Sequence, residues 1–232
     1  MQFKGKRALV TGGSKGIGRA IAEALTDRGC TVAITGRDSD TLNRTATAIG
    51  ALGIPGDVGV EADAVRAVEV AVRELGGLDI LVNNAGIGRG APLVETTLEM
   101  FNEVHTTNVV GAMLMAREAA RHFLKQESGH IVNISSTAGL KGFARGTTYC
   151  ASKFALKGMT ECWREELRRH NIRVILVNPS EVQTTWGGRS LDTLNPKKLV
   201  AKDIADAVVG VLSIDERGFV PEFAVFATNP FE

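Results

Sequence analysis

The chain has 232 residues, of which 44% are hydrophobic and 23% are charged. This is ordinary globular composition, and a chain of this length buries about 70% of its unfolded surface without needing a disulfide framework. Its 27 basic and 26 acidic residues give a net charge of +1, which argues against a nucleic-acid-binding or membrane-surface protein.

Cysteine, histidine and N-terminal patterns narrow the class further. The three cysteines form no C-x-x-C pair and the four histidines no H-E-x-x-H, so we expect no metal site. The basic N-terminal residues are followed by only three apolar ones, too few for a signal peptide. No apolar run approaches the about 18 residues that a membrane helix needs. The sequence therefore predicts a soluble, cytoplasmic protein with neither nucleic-acid nor membrane partners.

Short apolar runs alternate with amphipathic helical windows along the chain. Strands are predicted over residues 7–10, 31–35, 80–82, 130–134 and 173–177, and helices over 17–25, 64–75, 98–123, 152–169 and 203–212. Apolar runs without polar alternation are typical of strands buried on both faces, and strand–helix repetition favours a parallel sheet. We expect an α/β fold: a single Rossmann-like domain over residues 1–232, doubly wound, with helices on both faces of the sheet.

A glycine-rich turn follows the first predicted strand and opens a helix. Its sequence is TGGSKGIG over residues 11–18. A pyrophosphate needs free backbone N–H groups at a helix N-terminus, and Cβ atoms there would block its approach. A Walker phosphate loop has Ser or Thr directly after its Lys. Here Gly16 follows Lys15, so a Walker loop is excluded. A glycine turn without a ligand is the alternative, but its position favours a dinucleotide site formed by Gly12, Ser14, Lys15, Gly16, Ile17 and Gly18.

The spacing T-G-x-x-x-G-x-G resembles that of the short-chain dehydrogenase/reductase family, and the resemblance spans nearly the whole chain. The family's order continues through DV at 57–58, NNAG at 83–86, Asn108, Ser136, YCASK at 149–153 and NP at 178–179. The resemblance implies an NAD(P)-dependent oxidoreductase. It adds to the cofactor-binding set Asp57, Val58, Asn84, Ala85, Gly86, Tyr149, Lys153, Pro179, Ser180, Val182 and Thr184.

The end of the second predicted strand indicates which nicotinamide cofactor binds. A carboxylate there binds the ribose 2′-hydroxyl and repels a 2′-phosphate. Here the position is Arg37, with Asp38 only after it, and Lys15 supplies a second cation. Charge-assisted contacts to a dianion are strong, so we predict NADP(H). The alternative is that both cations are merely solvated.

The chain contains a single tyrosine, Tyr149, with Lys153 one helical turn later. A phenol can protonate the alkoxide formed by hydride transfer to a carbonyl, and we expect the lysine to lower its pKa toward neutrality. By resemblance, Tyr149 is the acid/base, Lys153 also binds the nicotinamide ribose, Ser136 hydrogen-bonds the substrate oxygen and Asn108 holds a water linked to Lys153. The spacing to Tyr149 favours Ser136 over its neighbour Ser135.

The last third of the chain departs from the family pattern. Ser180 stands where the family has glycine, and residues 184–198, with Trp186, Gly187, Gly188, Leu191 and Leu194, are predicted to form a substrate lid. The segment 217–222 resembles that of 3-oxoacyl-acyl-carrier-protein reductases, and an acidic carrier would meet Arg145, Arg189, Lys197 and Lys198. Family members pair through the helix that carries Tyr149. Its Phe154, Met159 and Trp163 are compatible with a homodimer or homotetramer.

Three hypotheses for function follow. The first is an NADPH-dependent carbonyl reductase, or the reverse alcohol dehydrogenase, acting on a small carbonyl compound such as a 3-oxoacyl thioester on acyl-carrier protein or CoA. The second is a non-catalytic NADP-binding regulatory module, which would need no proton donor. The third is an epimerase or dehydratase on the same fold.

Overall fold

The computed structural model describes residues 3–185 and 194–229. Its strands are β1 Arg7–Val10, β2 Thr31–Gly36, β3 Leu52–Pro55, β4 Ile80–Asn83, β5 Gly129–Ile134, β6 Ile172–Pro179, β7 Val182–Gln183, β8 Leu199–Val200 and β9 Glu222–Val225. Seven of them form one parallel sheet in the order β3-β2-β1-β4-β5-β6-β9, and β7 pairs with β8.

Helices cover both faces of the sheet. They are α1 Gly16–Thr26, α2 Ser39–Ile49, α3 Glu61–Leu75, α4 Leu98–His105, α5 Gly111–Gln126, α6 Thr147–Leu167 and α7 Ala201–Leu212. Helices α1, α2 and α7 pack on one face and α3 and α5 on the other, so neighbouring side chains along a strand enter different cores. In β1, for example, Ala8 and Val10 face one core and Leu9 the other. The α/β fold with a parallel sheet covered on both faces, as predicted from the apolar runs, is confirmed.

The predicted elements differ from the observed ones in three respects. The window 98–123 is not one helix, because a π-helical segment, Thr106–Val110, separates α4 from α5. Helix α6 begins at Thr147, five residues before the predicted start at 152, and so includes Tyr149. Helix α2 and strands β3, β7, β8 and β9 were not predicted from the pattern. In the described part of the chain, no helix is both long and apolar enough to cross a membrane.

Candidate active site

A cleft of about 920 Å³ opens at the carboxyl ends of the central strands. The strand order reverses between β1 and β4, which is where α/β sheets bind their ligands. The structure brings nearly all the predicted site residues into the wall of this one cleft: Gly12, Ser14, Lys15, Gly16, Ile17, Arg37, Asp57, Val58, Asn84, Ala85, Gly86, Ser136, Tyr149, Lys153, Pro179, Ser180, Val182 and Thr184. Gly18 and Asn108 lie behind the wall.

The glycine turn meets β4 through close backbone packing. Gly12 and Gly16 have φ angles of +62° and +54°, in the left-handed region that favours glycine. A Cβ at Gly18 would overlap the side-chain amide of Asn84, which donates to the Thr11 carbonyl at 2.9 Å. Gly18 therefore serves the packing that shapes the turn. Helix α1 begins at Gly16 with no side-chain cap and no acidic residue in its first turn, so its N-terminus suits an anion.

The end of β2 presents a cation to the cleft. Arg37 is 62% exposed and its Nη1 lies 3.8 Å from a carboxylate oxygen of Asp57. Asp38 caps α2 by accepting from the Thr41 backbone N–H at 2.7 Å, and the hydrogen bonds from Thr41 lower the pKa of that carboxyl. The carboxylate that follows Arg37 is thus engaged as the cap of α2, while Asp38 also lines the cleft.

Two cleft-lining hydroxyl groups have no hydrogen-bond partner among the described residues. Thr35 Oγ1 lies at the carboxyl end of β2, and Ser135 Oγ follows β5; both are buried. Buried polar atoms are normally paired, so these two oxygens are exceptions in the packing behind the cleft surface. The groups that fit a dinucleotide along the cleft are the uncapped N-terminus of α1 and the cations of Lys15 and Arg37.

Tyr149 and Lys153 lie one turn apart on α6, beside Ser136. Tyr149 hydrogen-bonds to Ser136, whose Oγ also accepts from the Ala138 backbone N–H at 3.1 Å. The Lys153 Nζ lies 5.6 Å from the Tyr149 ring centroid and donates to the Ile134 carbonyl at 2.9 Å. Burial lowers the pKa of Lys153 to about 8. The arrangement puts a hydroxyl pair and a cation at the bottom of the cleft.

The pKa of Tyr149 differs from the value expected from sequence. Burial raises the pKa above its ordinary value of 10, and the hydrogen bond to Ser136 opposes that rise only in part. The expected lowering by Lys153 is therefore wrong for the protein alone. The physical reason is that burial penalises the charged phenolate, while Lys153 donates to the Ile134 carbonyl instead. Tyr149 consequently holds its proton near neutral pH.

Asn108 lies in the π-helical segment and is buried. Its Oδ1 accepts from the Ile87 N–H at 2.8 Å, while its Nδ2 donates to the Ile87 carbonyl and to Ser152 Oγ, each at 2.9 Å. The side chain therefore ties the loop after β4 to the turn of α6 between Tyr149 and Lys153. The water-holding role that the resemblance assigns to Asn108 stays a prediction.

Ser180, which departs from the family pattern, has a hydrogen-bonded backbone in the cleft wall. Part of the predicted lid lies outside the described residues. Ser180 lines the cleft with its backbone N–H donating to the Val225 carbonyl at 2.9 Å. Thr184 and Thr185 also line the cleft. Trp186, Gly187, Gly188, Arg189 and Leu191 fall outside the described ranges. Of the expected carrier-binding cations, Lys198 pairs with Glu181 at 3.2 Å.

Sequence reasoning missed several residues of the cleft wall. Thr35 belongs to a strand that reads as purely structural, and Ser135 was set aside in favour of its neighbour. Leu140 and Phe143 lie between Ser136 and α6, and Phe226 follows β9. The apolar side chains between Ser136 and Tyr149 could have been predicted to line the cleft, because the connection that carries them joins two residues of the cleft wall. Phe226 had no such signal, since β9 itself was not predicted.

Comparison with known proteins agrees with this geometry. A family model described as short chain dehydrogenase matches residues 6–194. A 3-oxoacyl-[acyl-carrier-protein] reductase of Bos taurus is 36% identical over 89% of this chain and 91% of its own. A 3-ketoacyl-(acyl-carrier-protein) reductase from Brucella melitensis, solved with NADH, superposes with a TM-score of 0.89 at 30% identity, covering 97% of this chain and 98% of its own. An alcohol dehydrogenase from Thermococcus sibiricus, solved with 5-hydroxy-NADP, has a TM-score of 0.89 at 25% identity over 96% and 97% of the two chains.

Proposed function

Since the chain belongs to the short-chain dehydrogenase/reductase family and is an oxidoreductase, we propose that it reduces a carbonyl compound with NADPH, or oxidises the corresponding alcohol. The observation that carries this proposal is the hydrogen-bonded pair of Tyr149 and Ser136 in the cleft wall, with Lys153 one helical turn away. A protein that only bound a dinucleotide would need no buried proton donor.

The cofactor is held, in this proposal, by residues from the carboxyl ends of four strands. The pyrophosphate lies against the α1 N-terminus at Gly16, and Lys15 and Arg37 bind the 2′-phosphate. Bound NADPH supplies the hydride. The relatives carry different nicotinamide cofactors, NADH in one and an NADP derivative in another, so the preference for NADP rests on Arg37 and on the engagement of Asp38 with α2.

The chain's own residues perform the proton chemistry. Ser136 and Tyr149 both hydrogen-bond the carbonyl oxygen of the substrate. As that oxygen gains negative charge, the Tyr149 phenol donates its proton to it. The raised pKa keeps the phenol protonated near neutral pH, although it also makes the phenol a weaker acid. Once the phenolate has formed in the ternary complex, the Lys153 ammonium, 5.6 Å from the ring centroid in the protein alone, is the cation that stabilises it.

The substrate we favour is a 3-oxoacyl thioester carried on acyl-carrier protein or CoA. Two relatives with the carrier-protein name, one by sequence and one by structure, support it. We also propose that the protein is a homodimer or homotetramer paired through α6, on which Phe154 is 47% exposed.

Exchange of Tyr149 for Phe tests the proposed function. Removing the proton donor should lower kcat for NADPH oxidation by about 10²- to 10⁴-fold while leaving cofactor affinity nearly unchanged. Ser135 and Ser136 provide a matched pair: Ser136→Ala should lose far more activity than Ser135→Ala. The measurement is multiple-turnover NADPH absorbance with acetoacetyl thioesters, small ketones, quinones and sugars.

Three results would contradict this assignment. Undiminished turnover in Tyr149→Phe would remove the acid/base role. Tight cofactor binding with no turnover of any carbonyl would favour the regulatory module. Product formation without net NADPH consumption would favour an epimerase or dehydratase.

Exchange of Arg37 for Asp tests the cofactor preference. The variant should lose about tenfold to a hundredfold in NADPH affinity relative to NADH, because one charge-assisted hydrogen bond is worth about 1.5–3 kcal/mol. Arg44→Asp, on the exposed part of α2, is the control and should leave the ratio unchanged. Binding is measured by titration calorimetry for both cofactors. An unchanged ratio in Arg37→Asp would refute the preference for NADP.

A further inference from the structure

One end of the cleft is walled by apolar side chains that the protein leaves exposed. Phe143 is 59% exposed and Phe226 63% exposed, and Leu140, also exposed, lines the same cleft. Exposed apolar residues are common on protein surfaces, but these three share a cleft with Tyr149 and Ser136. Covering them with a ligand would therefore be favourable at the point where the carbonyl must sit.

The ring of Phe143 is held in place by a tight turn at the start of α6. The Gly146 backbone N–H donates to the Phe143 carbonyl at 3.1 Å, and Arg145 occupies the left-handed region with a φ of +66°. A Cβ at Gly146 would stand only 2.8 Å from the Phe143 ring, so the ring lies directly over the glycine. Leu140 precedes this turn and follows the helical turn that Ser136 caps. The apolar wall is thus attached to the same short connection that presents Ser136.

Phe226 reaches the cleft from the other end of the chain. Strand β9 pairs with β6 so that Val225 stands beside Pro179, and the Ser180 backbone N–H donates to the Val225 carbonyl at 2.9 Å. Phe226 is the next residue, and it lines the cleft together with Pro179 and Ser180. Its position is consequently fixed by sheet hydrogen bonds at the edge strand.

Charge along the cleft is distributed unevenly. Lys15, Arg37, Asp38 and Asp57 are at the end formed by β1, β2 and β3. The other charged side chains of the described lining are Lys141, Lys153 and Glu181, and Glu181 is paired with Lys198. The first end suits an anionic nucleotide, whereas the second offers few partners for a substrate rich in hydroxyl groups.

From this distribution we propose that Phe143 and Phe226 determine substrate specificity by packing against a hydrocarbon substituent on the carbonyl compound. The proposal rests on the proposed function and deepens it. The preferred substrates carry an alkyl or acyl chain of several carbons, and polyhydroxylated compounds such as sugars are poor substrates, because a hydroxyl group buried against the two rings loses its hydrogen bonds to water. Leu140 extends the same surface.

A homologous series of straight-chain methyl ketones tests the proposal in the intact enzyme with NADPH. Each added methylene that packs on the wall should raise kcat/KM by about two- to fourfold, as expected for burial of a CH₂ group. In Phe143→Ala and Phe226→Ala this increment should fall to less than half. Leu98→Ala removes an exposed apolar side chain outside this cleft wall and should leave the increment unchanged.

The outcome separates this proposal from the proposed function. If Tyr149-dependent turnover persists but kcat/KM is flat along the series or the control variant changes it equally, specificity by the two rings is refuted and the reductase remains. If no ketone is reduced, calorimetric binding of straight-chain primary alkyl amides to the NADPH-saturated protein replaces turnover. Affinity that rises with chain length and loses that rise in both Phe variants supports the proposal, and affinity independent of chain length overturns it.

Discussion

Lys153 is almost completely buried in the cleft wall, one helical turn from Tyr149, and this burial costs stability. Its pKa falls from an ordinary 10.5 to about 8 because burial penalises the ammonium. A shift of this size corresponds to about 3 kcal/mol. Below pH 8 both folded and unfolded chains carry the proton, and the full cost is present. Between pH 8 and 10.5 the unfolded chain binds more protons than the folded one, so stability gains from rising pH in that window.

We therefore expect Lys153→Met to be inactive yet more stable than the wild type. At neutral pH the free energy of unfolding should rise by about 1–3 kcal/mol, with the lost hydrogen bond to Ile134 offsetting part of the gain. The advantage should shrink between about pH 8 and about pH 10. Urea unfolding across this range measures it.

Lys202→Met, at an exposed position on α7, is the matched control and should change stability by only a few tenths of a kcal/mol. A variant at Lys153 that is less stable at neutral pH would show that the hydrogen bond to Ile134 outweighs the desolvation cost.

Spacing along the sequence predicted that Tyr149 and Lys153 would lie together, but not their proton affinities. Tyr149 and Lys153 face one another because four residues make one turn of a helix, which is a local rule. The pKa of Tyr149 depends on how many atoms surround it in three dimensions, and no local pattern contains that information. The raised pKa therefore emerged only from the structure.

A buried polar chain joins two helices to the sheet beneath the site. Asn83 Nδ2 donates to the Ala112 carbonyl at 3.1 Å and to Asn133 Oδ1 at 3.0 Å. Asn133 Nδ2 donates to Thr160 Oγ1 at 2.8 Å, and Thr160 Oγ1 donates to the Leu156 carbonyl at 2.7 Å. These directional bonds link α5, β4, β5 and α6, so they fix how far α6 is shifted along the strands that carry the cleft.

Replacing Thr160 with Val keeps the shape of the side chain but removes the acceptor for Asn133. The unpaired amide, buried in an apolar region, should cost about 1–3 kcal/mol of unfolding free energy. Thr47→Val, exposed on α2, should change it by less than about 0.5 kcal/mol. Urea denaturation gives both values.

Coupling along the chain can be checked with the double variant Asn133→Leu/Thr160→Val. The double variant should lose less unfolding free energy than the sum of the two single variants. It contains neither the Asn133 amide nor the Thr160 hydroxyl, so neither group is left buried without the other. Strict additivity would mean that the two side chains act independently and that the hydrogen bond contributes little to holding α6.

At the level of elements, the sequence pattern predicted the strands that are buried on both faces and missed helices and strands that are half-exposed. The central strands were found because their apolar side chains enter a core on one face of the sheet or the other. Helix α2 has a narrow stripe of Leu42, Ala46 and Ile49 among polar residues and three threonines, and β9 is a four-residue edge strand with no fully buried side chain. The π-helical break at Asn108 arises from hydrogen bonds to a distant loop, which periodicity cannot register.

On the scale of the whole molecule, strand order explains why residues far apart in sequence share one cleft. Strands β1, β2 and β3 extend to one side of the sheet, and β4, β5 and β6 to the other. Their carboxyl ends meet where the order reverses, so the glycine turn after β1 and Ser136 after β5 face the same space. The order of the glycine turn, NNAG, Ser136 and YCASK along the chain was sufficient to predict this convergence. The apolar wall was not predicted for two reasons. The path of the connection that carries Phe143 could not be inferred from the sequence, and Phe226 follows an edge strand, β9, that was not predicted.

Assembly is the remaining question at this scale, and Phe154 provides its test. The side chain lies on α6 directly after Lys153 and remains 47% exposed in the single chain. In an interface between identical subunits each substitution occurs twice, so Phe154→Glu would bury two carboxylates and should dissociate the assembly. Sedimentation velocity should show a dimer or tetramer for the wild type and a smaller species for the variant, whereas Val94→Glu, at an exposed position outside α5 and α6, should sediment like the wild type. A wild-type monomer, or an unchanged Phe154→Glu, would refute pairing through α6.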